Sequence, residues 1–324
     1  IRGMSGPRVK ILKNGVVNRD VSGLGVDHLN DVDLNDISQV EIVKGPSSLL
    51  YANGTIGGII NVVDDLISTK NFEIPEVSVG YESQSVNDGN SEFVNLKGNV
   101  GGLNVNFGYK NTDFGNYDVP SGAVIHSEEE HHDDEDHDED EHHDDEHSEE
   151  DLGYINNSDF AVEATKFGVS KVTDWGYIGF GIDNLESVYG IPFHGDEHGD
   201  EHGDEHGDEH GDEEEHEEHG EERIFSTTDS ETFSIRGSYN VNGSLVNKVD
   251  FTYRDSDYSL TEAHAEEEHH EEEDHEEEEE HEEHAPTVFM NEAVEYGATF
   301  DISNDSSTQK VVVNFVDEDN SIVG

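Results

Sequence analysis

From residue 76 onward the chain alternates apolar and polar positions with a period of two. In Leu103-Asn104-Val105-Asn106-Phe107-Gly108-Tyr109-Lys110 every second side chain is apolar and each intervening residue is polar or glycine, the pattern of a strand with one apolar and one polar face. The same alternation runs through Val77/Val79/Tyr81, Val94/Leu96/Val100, Ile178/Phe180/Ile182, Phe233/Ile235/Tyr239/Val241, Val249/Phe251/Tyr253 and Tyr296/Phe300/Ile302. It predicts nine strands, near 76–86, 91–100, 103–112, 159–172, 176–190, 224–240, 245–261, 287–302 and 309–319. Many are long for a soluble sandwich and suited to tilted strands that cross a membrane.

The connections alternate too. Gly101-Gly102, Thr173-Asp174-Trp175-Gly176, Asn242-Gly243-Ser244 and residues 303–308 are short turns, whereas 126–151, 194–222 and 262–284 are long tracts. Up-and-down connection of the strands puts all the short turns at one end and all the long tracts at the other, the asymmetry of an outer-membrane barrel with outside loops. An odd strand count is unlike a bacterial barrel, so an incomplete barrel is expected. For the strands taken alone, a soluble antiparallel sandwich with acidic insertions is the competing architecture.

Residues 1–65 follow no such rhythm. Apolar runs at 9–12 and 16–21 flank Asn14-Gly15, a hairpin signal because both turn positions tolerate positive φ. Runs at 40–43 and 59–63 bracket a glycine-rich stretch, 45–58, expected to be a loop or short helical turn. The predicted fold class is mainly β: a compact α+β segment over 1–65, a linker over 66–75, and antiparallel transmembrane barrel strands over 76–324.

A formal charge of −64 on 324 residues with 31% hydrophobic residues would ordinarily indicate a disordered chain. The average misleads, because the three tracts hold 48 of the 80 acidic residues, 20 of the 21 histidines, and no Lys or Arg. The other 246 residues carry a net charge of −16, ordinary for a folded protein. Cysteine is absent, which removes disulfides and thiolate metal sites. No apolar run is long enough for a membrane-spanning helix. The acidic balance repels nucleic acid and favours cations as partners.

The tracts combine imidazole and carboxylate, which suits borderline divalent metals, and the lack of Cys with only two Met disfavours a soft Cu(I) site. The first tract supplies His126, His131, His132, His137, His142, His143 and His147. In the second, His194, His198, His202, His206 and His210 repeat with Gly-Asp-Glu between them, followed by His216 and His219. A helix would align such a repeat. Glycine at every fourth position, however, costs about 1 kcal/mol each in a helix, and the carboxylates repel, so the expectation is disorder without metal and partial collapse on binding. The third tract supplies His264, His269, His270, His275, His281 and His284. Solvated acidic loops would need no histidine, so its concentration here points to low-specificity, multi-site metal collection. Cu2+ and Ni2+ would bind such tracts at least as well as Zn2+, which leaves the cargo unnamed. Screening confines their field to about 8 Å at physiological ionic strength, so capture is local. No nucleophile–base constellation, phosphate loop or His-Glu-x-x-His motif occurs, and neither an enzyme nor a prosthetic group is expected.

The sequence at 39–64, Gln-Val-Glu-Ile-Val-Lys-Gly-Pro-Ser-Ser-Leu-Leu-Tyr-Ala-Asn-Gly-Thr-Ile-Gly-Gly-Ile-Ile-Asn-Val-Val-Asp, resembles the plug signature of TonB-dependent outer-membrane receptors. Upstream, Ile1-Arg2-Gly3 and Arg8-Val9-Lys10-Ile11-Leu12-Lys13-Asn14-Gly15 look like the family's earlier plug segment. The resemblance implies a plug filling a barrel of about 22 strands, with uptake driven by a TonB-type inner-membrane complex whose contact segment is missing here. Within the family, Ser5-Gly6-Pro7-Arg8-Val9-Lys10, Asp20-Val21-Ser22-Gly23-Leu24 and Asp27-His28 look most like zinc receptors. There an Asp-His pair at the outward plug apex joins barrel Glu and His residues around the ion, and Asp27 and His28 are the matching positions. The implied sequence is collection by the tracts, transfer to a tighter site that includes Asp27 and His28, and release inward on plug movement. A receptor for a metal chelate or siderophore, or a non-transporting surface metal-binding protein, are the alternatives.

Overall fold

The computed structural model describes residues 3–4, 8–20, 28, 32–52, 55–123, 153–192, 223–241, 245–265, 285–304 and 307–324. The first segment is a small sheet of β1 (Val9–Lys13), β2 (Val16–Val17), β3 (Ile37–Val43) and β4 (Gly58–Asp64) in the order β2-β1-β4-β3. Asn14 and Gly15 take φ of 55° and 84°, as the hairpin requires. The strand expected over 16–21 stops at Val17, because the chain turns away and Arg19 engages carboxylates outside the small sheet. The glycine-rich stretch holds a 3-10 turn, Pro46–Leu50, pinned by Ser48 Oγ donating to Gly45 O at 2.8 Å.

All nine predicted strands form. β5 (Glu76–Gln84), β6 (Gly89–Val100) and β7 (Leu103–Phe114) are followed by a two-residue pair, β8 (Tyr117–Asp118) with β9 (Tyr154–Ile155), at the base of the first long connection. Then come β10 (Phe160–Thr173), β11 (Gly176–Gly190), β12 (Arg223–Asn240), β13 (Val246–Ala265), β14 (Thr287–Asn304) and β15 (Ser307–Val323). The nine long strands pair antiparallel with nearest neighbours in sequence, from β5 at one edge to β15 at the other. Short turns therefore join the strands at one end of this wall, and the strand ends that lead into the tracts lie at the other. β13 continues to Ala265, so Glu262 and His264, counted with the third tract by composition, lie on a strand. All the other tract histidines fall outside the described residues.

Burial along the wall is the reverse of a soluble sandwich. On β11, Ile178, Phe180 and Ile182 are 45%, 42% and 38% exposed, while Asp183 and Ser187 on the other face are 8% and 3% exposed. β10 likewise buries Lys166 and Ser170 and exposes Phe167. Water would penalise this arrangement; lipid outside and a polar plug inside would favour it. On the outer face Phe233, Tyr253, Tyr296 and Phe315 run across four strands with successive centroid separations of 6.3, 5.2 and 6.2 Å. Immediately beyond them, towards the tract end, Glu231, Asp257, Glu292 and Asp319 occupy one cross-strand rung. Adjacent like charges destabilise a sheet unless they are well solvated, so this rung marks where the lipid-facing band ends. At the turn end Trp175 and Tyr239 pair at 5.9 Å. Aromatics thus flank the apolar band on both sides, as at membrane interfaces.

The small sheet docks on the inner face through charges. Lys166 Nζ reaches Asp33 at 2.6 Å, Lys97 Nζ reaches Asp36 at 2.7 Å, Arg19 contacts Glu295 and, at 2.9 Å, Glu318, and Lys13 pairs with Asp183. The connecting segment, expected as a linker over 66–75, lies against the wall: Ser170 Oγ donates to Ser68 O at 2.6 Å and Asn104 Nδ2 to Lys70 O at 3.1 Å. Gly168 makes that approach feasible, since a Cβ there would sit 1.8 Å from Leu66 O.

Candidate metal centre

The inner face of the wall becomes apolar near the tract end. Tyr189, Ile191, Ile224, Tyr258 and Leu260 form a buried cluster, flanked by Phe160 and Phe289. Every member comes from a wall strand or its immediate continuation, and each buried side chain of this size contributes about 1.5–3 kcal/mol by leaving water. The cluster also ties down the roots of the tracts. Ile191 N donates to Ile224 O at 2.9 Å, closing the second connection, and Leu260 and Phe289 are cross-strand partners flanking the third. Gly190 N donates to Asp159 O at 3.0 Å, joining the end of the first connection to the start of the second.

His28 of the first segment sits on this cluster. Its Nδ1 lies 3.2 Å from Tyr189 Oη, its ring meets Phe289 edge-on at 6.4 Å and 70°, and its Nε2 faces Glu262 Oε2 at 4.0 Å. The imidazole side chain is only 8% exposed. A separation of 4.0 Å is too long for a hydrogen bond. It is near the span across a shared ion, about 3.4 Å for tetrahedral bonds of about 2.0–2.1 Å. Tyr189, Ser226, Glu262 and Thr287 form one rung across β11 to β14 on the inner face. Ser226 Oγ and, two residues on, Thr228 Oγ1 are buried without a hydrogen-bond partner among the described residues. His264 is two residues beyond Glu262 on β13, in register with Ile224.

Asp27 lies outside the described residues, as do His126, His131, His132, His137, His142, His143, His147, His194, His198, His202, His206, His210, His216, His219, His269, His270, His275, His281 and His284. Among the described residues no three His, Cys, Asp or Glu side chains gather at ligand spacing. The described donors are His28 and Glu262, one from each side of the interface. Glu262, Tyr189 and Ser226 were not singled out by the sequence. Strand parity could have found Glu262, because it shares the inward side of β13 with Tyr258 and Leu260.

Further from the tracts, burial, reinforced by Lys166 and Arg254, pushes the Lys13 ammonium down to about 7, with Asp64 and Asp33 opposing. Burial raises Asp64, yet Lys13, Lys166 and the Asn14 hydrogen bond hold its carboxyl below the ordinary range.

Residues 1–59 match the TonB-dependent Receptor Plug Domain family. A 114-residue stretch, 35% of the chain, is 31% identical to the vitamin B12 transporter BtuB of Vibrio vulnificus (strain CMCP6) and covers 18% of that protein. Among solved structures, the copper transporter OprC is similar over 99% of this chain and 41% of its own, with a TM-score of 0.65 and 11% identity. The FrpB iron transporter of Neisseria meningitidis (F5-1 variant) is similar over 99% of this chain and 43% of its own, with a TM-score of 0.62 and 13% identity. The chain spans less than half the length of either structure, and at such identity the likeness carries the fold alone.

Proposed function

We propose that this chain, whose residues 1–59 match the TonB-dependent receptor plug, belongs to an outer-membrane receptor that takes up a bare divalent metal ion, zinc in particular, through a site shared between plug and wall. The observation that carries this reading is the meeting of plug His28 with wall Glu262 across 4.0 Å, at the roots of the second and third tracts. The tracts raise the local metal concentration. The ion then passes to His28 and Glu262, with Asp27, next to His28 in the chain, proposed as a further donor.

Because one donor sits on the plug and the other on the wall, displacement of the plug by a TonB-type inner-membrane complex separates them. The ion loses half of its described ligands at that moment and is released. The site therefore binds while the plug is seated and lets go when it moves, with no chemical step required. Outer-membrane lipid covers the apolar outer face, and the tracts face the outside.

The test is zinc-limited growth and 65Zn uptake in cells expressing the intact receptor. His28→Ala and Glu262→Ala should each abolish high-affinity uptake while the receptor remains in the outer membrane. Unchanged uptake in both sinks the reading. Uptake of a ferric siderophore in place of zinc would assign the receptor to a chelate.

A further inference from the structure

Resting on the metal reading above, we infer that Tyr189 is a positioning residue that fixes which nitrogen of His28 is offered to the ion. The imidazole has two distinct nitrogens, and the hydrogen bond made by one decides the state of the other. Here the two have different neighbours: Tyr189 Oη stands 3.2 Å from Nδ1 and Glu262 Oε2 stands 4.0 Å from Nε2. A proton on Nε2 would face the Glu262 carboxylate from 4.0 Å, beyond direct hydrogen-bond reach, whereas Tyr189 Oη stands within reach of Nδ1. With the proton on Nδ1 donated to the Tyr189 hydroxyl, no N–H is stranded. The bare Nε2 lone pair then faces the carboxylate, and a cation placed between these two acceptors would be shared by both.

The fold makes Tyr189 suited to this role. It is 2% exposed, lies on the inner face of β11, and is held within the apolar cluster by Ile191, Ile224, Tyr258 and Leu260. It is also one rung-mate, through Ser226, from Glu262. The wall therefore supplies both the ligand and the group that orients the plug's ligand. Partners that orient ligating histidines are commonly carboxylates or backbone carbonyls; a phenol performs the same task with no added charge, leaving Glu262 as the charged group facing Nε2.

The experiment uses the intact receptor in lipid, labelled with [15N]histidine, with the His28 signal identified by its loss in His28→Gln. In the metal-free wild type, 15N NMR should show His28 protonated on Nδ1. Tyr189→Phe keeps the ring and removes the acceptor, so the proton should move to Nε2, and zinc affinity should fall by about 10–100-fold, as for other orienting partners of metal ligands. A wild-type proton on Nε2, or a Tyr189→Phe receptor with unchanged zinc affinity, overturns the assignment. Should the variant fail to fold, the wild-type spectrum alone decides. The proton position is read without metal, so a wild type that binds no zinc at His28 would defeat the metal reading while leaving this result separately legible.

Discussion

The plug meets the wall in two chemically different zones. In the middle of the wall the contact is made by charges: Lys13 with Asp183, Arg19 with Glu295 and Glu318, Lys166 with Asp33, and Lys97 with Asp36. At the tract end the contact made by the described plug residues is the His28 imidazole, resting on an apolar cluster built from the wall. Charged pairs rehydrate when separated, so the middle zone can be opened by water as the plug shifts. The apolar cluster gains nothing from separation and shares no described plug residue, so it keeps its shape when His28 leaves. The proposed release needs the plug donor to move while the wall donor stays in place.

The contrast can be broken at either end. The largest effect is expected from Asp33→Ala, which leaves buried Lys166 with the Asn35 carbonyl but no carboxylate and should cost about 3–5 kcal/mol. Hydrogen exchange should show faster exchange in β1 and β4, with little change in β12 and β13. Leu260→Ala at the other end should cost about 2–5 kcal/mol by opening a cavity in the cluster. Urea unfolding in micelles would report this loss, and zinc affinity should fall with it, while exchange in β1 stays unchanged. If either variant loosened both zones equally, the division would be wrong.

A smaller effect separates the zones by pH. Lys13 is held at about 7 against 10.5 when free. Between those values the unfolded chain holds a proton that the folded plug sheds, so this group's contribution to stability rises with pH from about 7 upward and is flat below it. Lys13→Met should remove that part of the rise. Comparing wild-type and variant unfolding midpoints from pH 7 to 10 checks it, and identical slopes would contradict it.

Much of the wall was legible because a membrane barrel writes its two environments into alternate residues. Phe180 and Ile182 against Gly181 and Asp183 is such a record, and the short-turn, long-tract rhythm gave the direction. The plug was legible through the Asn14-Gly15 turn and the glycine-rich stretch. The ends of strands were not. β2 stops early because Arg19 finds carboxylates on β14 and β15, a contact between residues 276 and 299 positions apart that no local pattern encodes. β13 runs on into a segment whose acid-rich composition masks its strand parity. For the same reason Glu262 looked like one acid among many, although its place on the inner face beside Leu260 distinguishes it. Tyr189 gave no signal because its role depends on a partner 161 positions away in the chain.

The central claim is that one ion bridges plug and wall, and a double-mutant cycle on zinc affinity tests it most directly. His28→Ala, Glu262→Ala and the double variant of the intact receptor would be titrated with zinc under conditions in which the tracts are saturated. If both side chains hold the same ion, each single change should cost most of the tight binding and the double variant should be scarcely worse than either. Additive losses, or no loss from either change, would contradict a shared site.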